Sequence, residues 1–212
     1  MSTPELARQL TSSSKIKPAI GFYSHKNGCF QYCEGDTELH GCLIREFDDN
    51  ITSYATQPCS MKFQIYGKWR RYTPDSLVIH KTEGAYYEEI KTYDYAQKLK
   101  FILKQEFLEQ AFDEIIKIPL KLNTVLTESK SKTICNLAQL YSYRHQPLEQ
   151  DKLSLLLPAI PDIKITGLEL EDLCTRKGVG KNFGWAMAAY GKLHYSNTEV
   201  LKRSSILEVA NG

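Results

Sequence analysis

The chain is predicted to be an α/β protein in two parts, a mixed-sheet domain followed by a small winged helix-turn-helix domain. Three observations carry that expectation. Short aliphatic and aromatic runs separated by turn residues fill residues 51–92. Helical periodicities bracket those runs on both sides. After Gln146-Pro147 the pattern reads helix, helix, turn, helix, hairpin, the order of a winged helix-turn-helix.

Taken in order, residues 1–20 are polar, with a Thr11-Ser12-Ser13-Ser14 cluster, and are expected to be a flexible or docking segment. Residues 21–145 are assigned to the first domain. Leu39, Cys42, Leu43 and Phe47 recur at helical spacing over 36–47, with Asp36 as the expected N-cap and Asp48-Asp49-Asn50 as the stop. Strands are expected at 51–57, 61–66, 69–72, 76–80 and 85–92, as a meander. The segment 95–116 reads as a strong helix whose apolar face is Leu99, Ile102, Leu103, Phe107, Ala111 and Ile115. A strand over 118–126 and a helix over 133–143 complete this domain. The second domain, 146–212, has helices expected at 148–157, ended by Pro158, at 167–176 and at 182–190. Gly178-Val179-Gly180 forms a turn, and a hairpin joins 193–195 to 205–209.

At 212 residues and 42% hydrophobic content the chain can bury a sizeable core. Its net charge of +2 is nearly neutral, so any affinity for nucleic acid has to come from local patches. Six cysteines lack a paired CxxC spacing, which argues against zinc and for reduced, mostly buried thiols. The N-terminus lacks a signal-peptide pattern and no apolar run reaches membrane-spanning length; a soluble, cytoplasmic protein without membrane contact is expected.

The chemistry concentrates in two segments. Pro74-Asp75 opens one strand, and Glu89-Ile90-Lys91 ends the next, with Lys81-Thr82-Glu83-Gly84 as the turn between them. Side chains alternate along a strand, so Glu89 and Lys91 share a face and Ile90 takes the other. With Asp75 opposite, two carboxylates and an ammonium meet. Such oxygens suit Mg²⁺, with the Ile90 carbonyl as a further ligand, and Mn²⁺ as a substitute. Lys91 is placed to orient or deprotonate an attacking water, or to stabilise developing charge, in the cutting of a phosphodiester. Glu38, early in the first helix, is the extra carboxylate expected to serve a second metal.

At these residues the chain resembles the TnsA family, the endonuclease subunits of heteromeric cut-and-paste transposases. The resemblance rests on an ordered set over residues 34–145: Thr37-Glu38-Leu39, Glu46-Phe47-Asp48, Gln57-Pro58, Arg71-Tyr72-Thr73-Pro74-Asp75, Glu89-Ile90-Lys91, Leu126-Thr127-Glu128, and Leu140 to Arg144. It implies a restriction-endonuclease-like PD-(D/E)xK catalytic domain with Glu38, Asp75, Glu89 and Lys91 as the active site. Glu34 is the competing helix carboxylate; the spacing from Glu38 to Phe47 favours Glu38. The resemblance further implies cutting at the 5′ ends of a transposon, a TnsB-type transposase for the 3′ ends, and a TnsC-type ATPase bound by the C-terminal domain. The alternatives are a stand-alone restriction or repair endonuclease of the same fold and a non-catalytic DNA-binding adaptor.

Two basic patches are candidate DNA contacts. Residues 61–74 carry Lys62, Lys68, Arg70 and Arg71 and no acid, with the aromatic residues expected inside and the cations toward phosphates. Residues 173–198 also lack acids and contribute Arg176, Lys177 and Lys181. The apolar helix after Lys181 is poor in base-reading side chains, so phosphate contact or protein docking is expected there. Trp69 and Trp185 read as core anchors, and His40 as a packing or surface histidine.

Overall fold

The computed structural model describes residues 20–65, 67–125 and 131–210. The polar segment expected over 1–20 and the landmark Leu126-Thr127-Glu128 therefore lie outside the described residues, save Ile20. The chain divides into two compact units, Met1–Glu128 and Ser129–Gly212. No helix among the described residues is long and apolar enough to cross a membrane.

In the first unit, strands β1 (Ile20–Ser24) and β2 (Cys29–Cys33) form an antiparallel ribbon that the hydrophobic pattern did not disclose. Helix α1 spans Asp36–Phe47. Its N-cap is Gly35 rather than Asp36, and no side chain caps it. Then come β3 (Ile51–Thr56), β4 (Met61–Ile65), β5 (Lys68–Tyr72), β6 (Ser76–His80) and β7 (Gly84–Thr92). They do not form one meander. Among the described residues β4 and β5 pair only with each other, as a separate ribbon, and the sheet runs β3-β6-β7-β8, with β8 at Leu120–Val125. Its pairs are antiparallel except β7–β8, which is parallel and joined through a helical crossover, making the sheet mixed.

That crossover begins with α2 (Tyr93–Ala96), continues as α3 (Leu99–Ala111), and ends in a π-helical turn over Phe112–Ile116. The expected apolar face of the long helix is corrected here. Leu99, Leu103, Phe107 and Ile115 are exposed, Leu99 at 70% and Ile115 at 68%, while Phe101, Gln105, Leu108, Ala111 and Phe112 are buried. The helix is apolar on two faces, and tertiary packing picks the one that presents aromatic rings. Phe112 lies 5.7 Å from Phe63, 5.9 Å from Tyr72 and 5.2 Å from Tyr87, centroid to centroid. Tilted and edge-on contacts of this kind add to the area they bury. The break at Gln97-Lys98, where Lys98 is extended, sets the rotation of α3 independently of α2.

α1 covers the opposite face of the sheet. Gly41 lets it approach: a Cβ there would lie 2.5 Å from Ile90 Cδ1. Beside that contact the wholly buried Arg45 donates to Glu88, whose other oxygen accepts from Asn123 Nδ2 at 2.9 Å. The next residue, the fully buried Glu46, accepts from Ser24 Oγ and, at 2.8 Å, from the Tyr54 hydroxyl. Paired and hydrogen-bonded in this way, buried charges hold position, and losing either partner costs several kcal/mol.

The second unit contains α4 (Lys132–Tyr141), α5 (Gln150–Leu156), β9 (Lys164–Thr166), α6 (Gly167–Arg176), α7 (Asn182–Ala189), β10 (Leu193–Tyr195) and β11 (Ile206–Val209). Its sheet is β10-β11-β9, antiparallel throughout. The expected final hairpin is present, and β9 is an addition to it. α7 is the centre of this unit, with every residue from Phe183 to Ala189 buried. Gly184 permits the close packing of α6, since a Cβ would stand 2.6 Å from Leu170 Cγ. A capping box between Thr166 and Glu169 starts α6.

The boundary falls at Glu128/Ser129, ahead of the one expected at 145/146, because α4 belongs to the second unit. Fully buried Asn136 donates to the Glu199 carbonyl at 2.9 Å and accepts from the Leu201 amide at 2.7 Å. The Tyr190 hydroxyl donates to the Arg144 carbonyl, and Tyr143 stacks on Trp185.

The Gly41–Ile90 contact is testable by a double-mutant cycle. Gly41→Ala is expected to destabilise the fold by overpacking, and Ile90→Val, which removes the obstructing Cδ1, to relieve it. The pair should be more stable than the sum of the single changes by roughly 0.5–2 kcal/mol in denaturant unfolding. Strict additivity would show that α1 does not bear on β7 at this point.

Candidate active site

Two neighbouring strands deliver the predicted residues. β6 and β7 pair with Ser76 opposite Glu88 and His80 opposite Gly84, so Asp75, one step before β6, comes level with the end of β7. The turn between them is the expected one, with Gly84 at φ 76°. Where the ladder stops, the Asp75 carboxylate replaces it: Oδ2 accepts the Ile90 amide at 2.7 Å. The same oxygen is 3.1 Å from Lys91 Nζ, which is also 2.7 Å from Glu89 Oε1 and donates to the Ile90 carbonyl at 2.9 Å. Three hard oxygens thus surround one cationic centre. Tyr72, buried by the ring cluster below, donates its hydroxyl to the other Glu89 oxygen at 2.6 Å and fixes that carboxylate.

Glu38 stands in the first turn of α1, where its Oε2 accepts the Glu34 amide at 2.9 Å. It feels the charges of Asp75 and Lys91. Among the described residues no hydrogen bond joins it to either. Glu34 precedes the helix and holds Glu38 through its backbone amide.

The electrostatics follow from burial and crowding. Burial is the main cause lifting the Asp75 carboxyl from 3.8 to about 6; Glu89 adds to it, and Lys91 and the Ile90 amide oppose it. Burial likewise lifts Glu38 from 4.5 to about 7, against the pull of the Glu34 amide and Lys91. For Lys91 burial works against the charge, yet Asp75 and Glu89 outweigh it and hold the ammonium above its ordinary range. Lys91 therefore carries a proton at neutral pH.

Among the described residues, no three His, Cys, Asp or Glu side chains are grouped so as to hold a metal ion. The donor chemistry nonetheless fits magnesium. Asp75 Oδ2, Glu89 Oε1 and the Ile90 carbonyl already converge on a cation, and Mg²⁺ is commonly held through one or two carboxylates while keeping several waters. Glu38 is not part of that convergence.

Beside Lys91 opens a cavity of about 780 Å³. Lys68, Arg70 and Arg71 line it from β5, and Lys98, Lys100 and Lys104 from the α2–α3 crossover. Among the described residues no acidic side chain lines it. The three crossover lysines did not figure among the expected contacts. Lys100 and Lys104, one helical turn apart, are the available signal, masked because the apolar periodicity of the sequence points to the other face of α3. Lys62 lies on the other face of the β4–β5 ribbon. Arg176, Lys177 and Lys181 are exposed in the second unit, at the end of α6 and the turn before α7. Trp185 is a core anchor as expected, 3% exposed, but Trp69 is not: it is 69% exposed.

The lifted Glu38 carboxyl sets a pH dependence with a definite sign. The folded state favours its neutral form, so its contribution to stability is whole below about pH 4.5 and is lost as pH rises through about 7. Without divalent cations, wild type should lose on the order of 2–3 kcal/mol relative to Glu38→Gln across that window. Parallel stability profiles for the two proteins would rule out the burial of this group. No protein-family model matches the chain, and no curated protein matches it.

Proposed function

We propose that the chain is a metal-dependent DNA endonuclease of the PD-(D/E)xK type, acting as the 5′-strand-cutting subunit of a heteromeric transposase. The observation that carries the reading is the convergence of Asp75, Glu89 and the Ile90 carbonyl on the Lys91 ammonium, next to a groove lined by cations. The mixed sheet with α1 on one face and α3 on the other supports a restriction-endonuclease-like fold. The order α5, β9, α6, α7, β10, β11 supports a winged helix in the second unit.

Held by Asp75, Glu89 and the Ile90 carbonyl, Mg²⁺ (or Mn²⁺) would neutralise phosphoryl oxygens and acidify a water. The protein groups divide the remaining work. The Ile90 amide and the Tyr72 hydroxyl fix Asp75 and Glu89, so the oxygens need no reorganisation when substrate arrives. Lys91, protonated, stabilises negative charge developing on the phosphoryl oxygens, which favours this role over that of a base. Glu38, with its pKa near neutrality, is suited to accept a proton from the attacking water. The groove cations hold the DNA backbone and carry no sequence information.

The buried side chains of α7 offer nothing for reading bases from Phe183 to Ala189. Choice of site then falls to partners: by the family resemblance, a TnsB-type transposase at the transposon ends and a TnsC-type ATPase on the C-terminal unit.

The test is strand-specific cleavage of transposon-end DNA with partner transposase and Mg²⁺. Lys91→Ala should slow 5′-strand cutting by roughly 10²–10⁴-fold with the fold intact. Tyr72→Phe, which only releases Glu89, should slow it about 10-fold. Equal cutting by wild type and Asp75→Ala would sink the site assignment, and efficient cutting of DNA without partners would assign the same site to a stand-alone endonuclease.

A further inference from the structure

Gln57 follows the last residue of β3, where the sheet meets Asp75. Its backbone amide donates to the Asp75 carbonyl at 2.9 Å, one step beyond the Thr56–Ser76 pair, and Pro58 has no N–H to carry the ladder further. The chain then passes to the side of the sheet that holds Tyr87, Glu89 and Lys91. There the Cys59 thiol donates to the Tyr87 hydroxyl at 3.6 Å, and the Ser60 and Thr73 hydroxyls share a hydrogen bond of 2.6 Å. Gln57 makes this turn with φ at 45°, in the left-handed region. A residue ahead of proline is biased toward extended backbone, and an L side chain at positive φ is disfavoured, so the conformation is strained.

The side chain adds a second cost. Gln57 is 5% exposed, and its Oε1 is buried with no hydrogen-bond partner among the described residues. Among those residues no other combines a left-handed non-glycine backbone with a buried polar atom lacking a partner. The fold itself requires neither: glycine would take this φ without strain, and leucine would fill the space without an unmet acceptor. A buried acceptor left over in this way calls for a donor from outside the chain. Its neighbours narrow the choice. Gln57 is bonded to the backbone of Asp75, whose carboxylate converges with Glu89 Oε1 and the Ile90 carbonyl on a cationic centre. Mg²⁺ held there keeps several waters, and the cation's charge makes each a strong donor.

We propose that Gln57 is a positioning residue for the metal: its Oε1 accepts a hydrogen bond from a water on the cation held by Asp75 and Glu89, while the left-handed turn keeps the residue on the Asp75 backbone. The inference rests on the endonuclease reading in taking these carboxylates to bind a divalent cation. A carboxamide suits the task because it accepts a hydrogen bond without adding charge where Glu89 already repels Asp75. Hydrogen bonds one step outside the direct ligands orient what a metal carries, and losing one weakens metal binding about 10- to 100-fold.

Mn²⁺ is the probe, bound to the full chain without DNA at about pH 8, where the site carboxylates are ionised, and followed by the paramagnetic resonance of the free ion. The denaturant midpoint of each protein is measured in parallel in EDTA. Gln57→Leu should bind Mn²⁺ roughly 10- to 100-fold more weakly. Its midpoint in EDTA should equal or exceed that of wild type, because an apolar group replaces an unmet acceptor. A residue that only packs would lower the midpoint and leave the ion alone. Gln57→Glu, which restores an acceptor, should bind Mn²⁺ at least as tightly as wild type. Undiminished Mn²⁺ binding by Gln57→Leu overturns the proposal. So does weakened binding that Gln57→Glu fails to restore, which would mark a loosened Asp75 instead of a lost acceptor. Asp75→Ala separates the two readings. If it binds Mn²⁺ like wild type, the metal reading of the site fails; if it loses the ion and Gln57→Leu does not, only the role of Gln57 fails.

Discussion

The two-residue alternation of β7 is the constraint on which the first unit depends. Tyr87, Glu89 and Lys91 face one way, and Glu88 and Ile90 the other, and each set has a task that cannot be exchanged. Glu88 is locked by Arg45 and Asn123, and Ile90 fills the notch that Gly41 leaves in α1. On the opposite side Tyr87 enters the Phe112 ring cluster, and Glu89 and Lys91 meet Asp75. A slip of one residue would put the Glu88 charge into the aromatic core and take Glu89 and Lys91 away from Asp75. The register of β6 against β7 thus fixes the core and the candidate site at once.

The candidate site is held from below by the same aromatic cluster. Tyr72 contributes its ring to packing against Phe63 and Phe112, and its hydroxyl to Glu89. A side chain that is immobile because its ring is buried makes a precise hydrogen-bond donor at its other end. The arrangement crowds three carboxylates and an ammonium into a partly dehydrated place. Burial, with a smaller push from neighbouring carboxylates, lifts Asp75 and Glu38 toward neutrality, while Asp75 and Glu89 outweigh burial at Lys91 and keep it charged. Titratable groups shifted together by burial and specific charge partners mark sites of chemistry more often than sites of simple packing.

The second unit contrasts with the first in where its polar groups go. Its central helix α7 is nearly all apolar and inside, while Glu171 gathers Trp185 Nε1 and the Arg203 guanidinium at the margin. Asn136, buried on α4, satisfies two backbone groups of the loop before β11 and so recruits a helix that the linear order assigns to the preceding domain. A single buried amide with both ends satisfied is a strong positional constraint, since leaving either end unpaired costs on the order of 1–3 kcal/mol.

Most of the elements, and the meeting of Asp75 with Glu89 and Lys91, were determined by the sequence itself. Strand alternation, the Glu83-Gly84 turn and the Pro74 boundary are local, and local rules suffice for a hairpin. Other features were decided only in three dimensions. The face of α3 could not be read because Leu99/Leu103/Phe107 and Phe101/Leu108/Phe112 are both helical stripes, and the choice depends on which rings lie opposite. With that choice came the lysines of the groove. Trp69 reads as a core residue by type, yet the separation of β4–β5 from the main sheet leaves it outside. The β1–β2 ribbon and the place of α4 rest on partners distant in the chain: Ser24 with Glu46, Asn136 with Leu201. Side-chain type and spacing report what a residue can do, and long-range packing decides which of its neighbours it does it with.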